Sequence, residues 1–128
     1  MSLHMIFAVA VGGAFGAVGR FLVTSSVIYF FGNGLPFGTL IVNIIGSFCL
    51  GVLVEVFPLA WSVSPEIRAF LIVGVLGAFT TFSTFSFEVV SLWSRGDLFS
   101  AGTYVIGSVF LGILGFICGA IITKSLFL

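Results

Sequence analysis

Twelve residues near the middle of the chain combine chemical groups that its apolar surroundings lack. The segment Gly77–Glu88, GAFTTFSTFSFE, carries five hydroxyl side chains, four phenylalanines and one carboxylate. Hydroxyls donate hydrogen bonds, and the edge of an aromatic ring is electrically positive. Together these groups can replace the water around a small, strongly hydrated anion and still release it quickly. The segment therefore indicates a path for such an anion.

The aromatic rings and the polar groups of this segment fall on two adjoining faces of a helix. Phe82 and Phe85 stand three residues apart on one face, whereas Thr84 and Glu88 stand four apart on the next. A carboxylate on an anion path repels its passenger. Glu88 is therefore either protonated by burial, so that it donates a hydrogen bond, or it organises neighbouring hydroxyls beside the path.

The start of the same segment predicts a break in a helix. Gly74 and Gly77 precede Thr80 and Thr81, so flexible residues meet β-branched residues of low helix propensity. Irregular backbone at membrane depth is tolerated where it is buried in protein or lines a cavity, and its carbonyls can then coordinate a cation. If the hydroxyls bond back to the helix instead, the segment stays continuous.

Composition identifies the setting of this segment as a membrane. Of 128 residues, 60% are hydrophobic and 6% charged, far from the roughly 45–50% and 25% of soluble domains. The chain is thus predicted to be an all-α integral membrane protein in contact with lipid. Net charge is zero and no basic run suggests nucleic acid. With His4 as the single histidine and no nucleophile–base pair, no enzyme is expected.

Turn signals divide the chain into four apolar pieces, each long enough to cross a bilayer, which takes about 20 helical residues. The separating stretches are rich in glycine, proline and serine. Residues 1–128 are accordingly predicted to form a single four-helix transmembrane domain. Its helices are expected at about 6–31, 39–57, 66–93 and 99–127.

Basic residues give no preferred orientation. With four spans, Arg68 and Lys124 belong to one side of the membrane, and Arg95 and Arg20 to the other. Because an excess of basic residues normally marks the cytoplasmic side, a tie allows insertion both ways. An antiparallel, dual-topology homodimer is the natural closed assembly of such a chain.

Polar residues also interrupt the apolar faces of the other three helices. Asn43, Tyr104 and Arg20 are the most costly of these in a bilayer, so they are expected to face a functional interior. Small residues at helical spacing, such as Gly12 and Gly16, are explained by helix packing alone.

Three motifs together resemble one known family. GTLIVNIIGS at residues 38–47, GAFTTFSTFSFE at 77–88, and Gly12, Gly16 and Arg20 in the first helix are similar to the Fluc (CrcB-like) family of bacterial fluoride channels. The resemblance covers nearly the whole chain. It implies a passive, fluoride-selective channel in the bacterial inner membrane that exports fluoride and protects against its toxicity, built as an antiparallel homodimer with a central structural sodium ion.

The resemblance also implies roles for individual residues. Phe82 and Phe85 correspond to the aromatic pair of the pore, Asn43 to the amide beside it, and Arg20 to the basic residue of the vestibule. The backbone carbonyls of Gly77 and Thr80 correspond to the sodium ligands. The remaining pore positions are polar: Ser83, Thr84, Glu88, Tyr104 and Ser108. Gly112 departs from relatives that carry a hydroxyl there.

Two other functions remain open from the residues alone. One is a proton-coupled exporter of hydrophobic cations of the small multidrug-resistance type, in which a membrane carboxylate binds proton and cation alternately. Glu88 lies near the end of the third span, which is an unfavourable location for that role. The other is a non-transporting membrane subunit, which would leave the hydroxyl and aromatic cluster unexplained.

Overall fold

A computed structural model describes residues 1–59 and 61–128, and all the regular secondary structure in this part of the chain is helical. The elements, in chain order, are α1 Leu3–Phe31, α2 Phe37–Leu59, α3 Pro65–Arg68, a π-helix Ala69–Leu76, α4 Gly77–Phe79, α5 Phe82–Ser94 and α6 Leu98–Phe127. The stretch from α3 to α5, Pro65–Ser94, follows one continuous course and is here called the third span.

Four stretches of the described residues are long and apolar enough to cross a membrane: α1, α2, the third span and α6. Large apolar side chains cover their outer surfaces. Phe15, Phe21 and Phe110, for example, are each about two-thirds exposed. In an 18-residue stretch of each span, between 6% and 22% of the residues are buried inside the chain. The large apolar surface that remains is suited to contact with lipid. The prediction of an all-α integral membrane protein with four spans is confirmed.

Regular helix is interrupted in the middle of the third span. Thr80 (φ −82°, ψ 159°) and Thr81 (φ −153°, ψ 122°) have extended backbone between α4 and α5. The N–H and hydroxyl of Thr80 both donate to the Leu76 carbonyl, at 3.0 and 2.9 Å, which ends the upstream helix. The Thr81 hydroxyl accepts from the Thr84 N–H at 3.2 Å and thereby caps the start of α5.

Backbone-to-backbone contact joins α1 to the third span. Gly12 and Gly16 of α1 are buried. A Cβ atom on Gly12 would overlap the carbonyl oxygen of Phe70, and one on Gly16 would overlap that of Val75. Small residues at such positions allow membrane helices to pack through van der Waals contact between their backbones.

The same kind of contact joins α2 to α6. A Cβ atom on Gly51 of α2 would overlap the Phe116 carbonyl of α6, and one on Gly119 of α6 would overlap the Phe48 carbonyl of α2. Close backbone packing therefore joins the helices in two pairs, α1 with the third span and α2 with α6.

Candidate functional site

Asn43 holds the extended backbone of Thr81 on both sides. Its side-chain Nδ2 donates to the Thr81 carbonyl at 3.0 Å, and its Oδ1 accepts from the Thr81 N–H at 2.8 Å. A continuous helix would satisfy these two groups internally, so the interruption depends on an amide that carries both a donor and an acceptor. One N–H of the Asn43 amide is left over for another partner.

Three aromatic rings form a row beside the two Asn43–Thr81 hydrogen bonds, which are here called the Asn43 clamp. The centroids of Phe82 and Phe85 lie 5.5 Å apart with the ring planes tilted by 38°. The centroid of Phe85 lies 5.2 Å from that of Tyr104 on α6. Phe85 packs with Leu92 and Tyr104 in the apolar core, whereas Phe82 is 79% exposed on the outside of the chain. The two predicted pore phenylalanines therefore lie together, with one end of the row open.

The row ends at a carboxylate held by two hydroxyls. Thr39 of α2 donates to Oε1 of Glu88 at 2.8 Å, and the Tyr104 hydroxyl donates to Oε2 at 2.7 Å. An ionised carboxylate only accepts hydrogen bonds, and here each oxygen has a donor. The structure thus brings the predicted residues Glu88 and Tyr104 into direct contact.

Further hydroxyls surround the turn into α5. The Thr81 hydroxyl lies 3.1 Å from that of Thr84 and 3.4 Å from that of Ser83. On α6, the buried Oγ of Ser108 has no hydrogen-bond partner anywhere in the described chain. A buried hydroxyl without a partner is costly, so a water molecule or ligand is expected beside it.

An open groove of about 310 Å³ runs along the outside of the interruption. Its polar lining residues are Asn43, Ser47, Thr80 and Thr81, joined by the exposed ring of Phe82 and the backbone of Gly77. Thr80 and Thr81 are the 16th and 17th residues of a 30-residue span, so the groove lies near the middle of the membrane. Polar groups at this depth require a partner other than lipid.

Two carbonyl groups at this groove have lost their helical partners. In a continuous α-helix the Thr81 N–H would bond to the Gly77 carbonyl, but it donates to Asn43 instead. Likewise the Thr84 N–H, which would bond to the Thr80 carbonyl, donates to the Thr81 hydroxyl. Over residues 1–59 and 61–128, no group of three His, Cys, Asp or Glu side chains could hold a metal. Carbonyl oxygens without a helical partner are among the oxygen atoms that this region could offer to a cation.

A second cleft, of about 320 Å³, lies outside the Glu88 end of the row. The loop after α1 and the ends of α2 and α5 enclose it, and Thr39, Glu88 and Arg95 contribute to its lining. Arg20, the basic residue predicted for a vestibule, lines neither this cleft nor the groove.

Two residues of the candidate site have no role in the sequence prediction. Thr39 belongs to a stripe of small or polar residues with Asn43, Ser47 and Gly51, one turn apart on α2, but the spacing alone does not reveal its contact with Glu88. Thr81 was noticed for low helix propensity, but its backbone partner lies 38 residues away in the chain, and no local pattern could reveal that contact.

Known proteins are similar to this chain over most of its length. A profile of the family described as "CrcB-like protein, Camphor Resistance (CrcB)" matches residues 7–120. A protein of Rhodospirillum centenum named "Fluoride-specific ion channel FluC" is 43% identical over 96% of this chain and 98% of that protein. Proteins with the same name from Agrobacterium fabrum and Shewanella halifaxensis are 44% and 47% identical, over 93% and 84% of this chain and 95% and 86% of those proteins.

Proposed function

The chain belongs to the CrcB-like family, and from that premise we propose that it is a fluoride-selective passive channel that exports fluoride from the bacterial cytoplasm and protects against fluoride toxicity. The observation that carries the proposal is the similarity, over nearly the full length, to several proteins named as fluoride-specific channels. Hydrogen fluoride crosses membranes as a neutral acid and ionises inside, which creates the need for an exit path. A channel of this kind is a multi-pass bacterial membrane protein and not an enzyme.

The row of rings and hydroxyls provides the path. Ring edges of Phe82 and Phe85 present positive potential to an anion without a fixed cation that would retain it. Hydrogen bonds from the remaining Asn43 N–H, from Ser108 and from the hydroxyls around Thr84 compensate for lost water. Ser83 adds a further hydroxyl beside Thr81, and Tyr104, whose hydroxyl donates to Glu88, contributes its ring next to Phe85.

Glu88 acts beside the path as an organiser of hydroxyls. Both of its oxygens already accept hydrogen bonds, from Thr39 and Tyr104. Two hydroxyl contacts from different helices fix the position of the Glu88 side chain beside the rings. The carboxylate keeps the Tyr104 ring in position against Phe85.

An antiparallel homodimer covers the open groove. Phe82 is exposed at membrane depth beside Thr80 and Asn43, and a second copy of the chain supplies a protein surface where lipid would leave polar groups unsatisfied. The balance of basic residues between the two sides permits both orientations. A terminal epitope tag should then be reached from both faces of a membrane vesicle.

A structural sodium ion at the dimer centre suits the two carbonyls without helical partners. Gly77 and Thr80 would hold the ion through their backbone oxygens, and the second copy would contribute the same pair. When bound, sodium supplies a positive charge that offsets these carbonyl dipoles and joins the two third spans. By the family resemblance, Arg20 is the vestibule residue, and its positive charge would raise the local anion concentration.

Ion efflux from liposomes containing the purified protein tests the function. We expect rapid fluoride efflux, little chloride efflux and no dependence on a proton gradient. Vesicles that hold fluoride, or that release chloride equally fast, would refute the proposal. Proton-driven uptake of an aromatic cation would instead support the multidrug-type exporter.

A further inference from the structure

The cleft outside Glu88 is large enough to hold water in contact with the conduction path. At roughly 30 Å³ per liquid water, its 320 Å³ has room for about ten molecules. Thr39 and Glu88 belong both to its lining and to the hydroxyl–carboxylate contact at the end of the ring row. An ion entering or leaving by this end therefore passes through the cleft.

Among the described residues that line this cleft, Arg95 is the basic one. Among residues 1–59 and 61–128, no carboxylate oxygen lies within 4.0 Å of its guanidinium nitrogens. The Glu88 oxygens accept from Thr39 and Tyr104 and form no ion pair with Arg95 among the described residues. The cleft thus contains the exposed Arg95 guanidinium beside the hydrogen-bonded Glu88 side chain, and Asp97, two residues further along, is close enough to Arg95 for that charge to help lower the Asp97 pKa.

The other three basic side chains lie outside the lining of the cleft, and two of them, Lys124 and Arg68, have partners of their own. Lys124 pairs with Glu55 at 3.3 Å, and the Arg68 guanidinium lies 5.4 Å from the centre of the Phe57 ring. Arg95 is therefore the basic side chain that shares this cleft with Glu88 and can attract an approaching anion there.

We propose that Arg95 is the residue that concentrates anions at the Glu88 end of the pore. This inference rests on the proposed fluoride conduction and adds an entrance residue to it. A charge at the mouth of a cleft raises the local concentration of oppositely charged ions, and the effect weakens as salt screens it. The guanidinium is exposed, so it attracts fluoride without binding it for long.

The test uses fluoride efflux from vesicles of neutral lipid at low and high ionic strength. Arg95→Gln should reduce efflux about twofold to tenfold near 0.01 M salt, where the screening length is about 30 Å, and the deficit should vanish near 1 M, where it is about 3 Å. Arg95→Lys should remain close to the unmodified protein. Arg68→Gln removes the same charge outside the cleft and serves as the matched control.

The outcomes separate this inference from the proposed function. Absence of fluoride efflux from the unmodified protein would defeat both. Normal efflux by Arg95→Gln at low salt, or a loss of equal size at every salt concentration, would overturn the role of Arg95 alone. The unmodified protein gives an independent measurement, since its efflux should itself fall as an impermeant salt is added, and a flat response would also overturn the inference.

Discussion

Replacing Asn43 by alanine tests the link between the interrupted span and conduction. The substitution removes both hydrogen bonds to Thr81 and leaves its N–H and carbonyl without partners near the middle of the membrane. An unsatisfied buried group costs about 1–3 kcal/mol, whereas measured bonds between membrane helices average about 0.6 and reach about 1.7 kcal/mol. For the pair we expect a loss of about 1–3 kcal/mol in the local stability of the interruption.

Hydrogen exchange at the Thr81 amide measures this loss directly. A change of about 1–3 kcal/mol should accelerate exchange about 5- to 150-fold, because each 1.4 kcal/mol is a factor of ten. Fluoride efflux should fall strongly in the same variant. Ser47→Ala is the matched control: Ser47 lies one turn further along α2, lines the same groove and makes no side-chain hydrogen bond within the described residues.

The two measurements together decide what Asn43 does. Loss of efflux with unchanged exchange at Thr81 would refute the clamp and leave Asn43 only as a direct donor to the ion. Unchanged efflux would remove Asn43 from the site altogether. Faster exchange with lost efflux is the result that the hydrogen-bond geometry requires.

Three further predictions address other parts of the molecule. Phe85→Ile should preserve dimer assembly but reduce fluoride efflux strongly because it removes the ring edges, and unchanged flux would contradict the role of the rings. Gly16→Ala should destabilise the protein by about 1–3 kcal/mol in thermal unfolding because its Cβ overlaps a carbonyl, whereas Gly13→Ala, with no atom within 4 Å of the added Cβ, should be tolerated. Hydrogen bonds from Ser100 lower the pKa of the Asp97 carboxyl below its ordinary value of 3.8. The hydrogen bond by which Asp97 caps α6 should therefore be intact above pH 3.8 and be lost as the pH falls through the lowered pKa. An NMR titration of the Ser100 amide with a midpoint at or above pH 3.8 would contradict this.

The sequence predicts the spans and most of the site for simple physical reasons. Long apolar runs separated by glycine and proline define the four spans, and polar residues within them, such as Asn43, Tyr104 and Glu88, are conspicuous in an apolar setting. The extended residues Thr80 and Thr81 lie in the segment where glycines precede β-branched side chains.

Contacts between distant residues were beyond such reasoning. The bonds from Asn43 to Thr81 and from Thr39 to Glu88 depend on how α2 lies against the third span, which is set by packing over the whole chain. The π-helix of residues 69–76 has no distinctive composition, since its segment AFLIVGVL also suits an ordinary α-helix.

The contacts at Gly12, Gly16 and Gly51 have a mechanical consequence. Main chain lies directly against main chain at these positions, so the spacing of the helices is set by backbone atoms, whose shape does not change with side-chain rotamers. A transporter that alternates between inward-open and outward-open states must move its helices against one another. A channel that stays open needs no such helix movement. Helix spacing fixed by these glycine contacts suits a channel whose helices keep the same positions while ions pass.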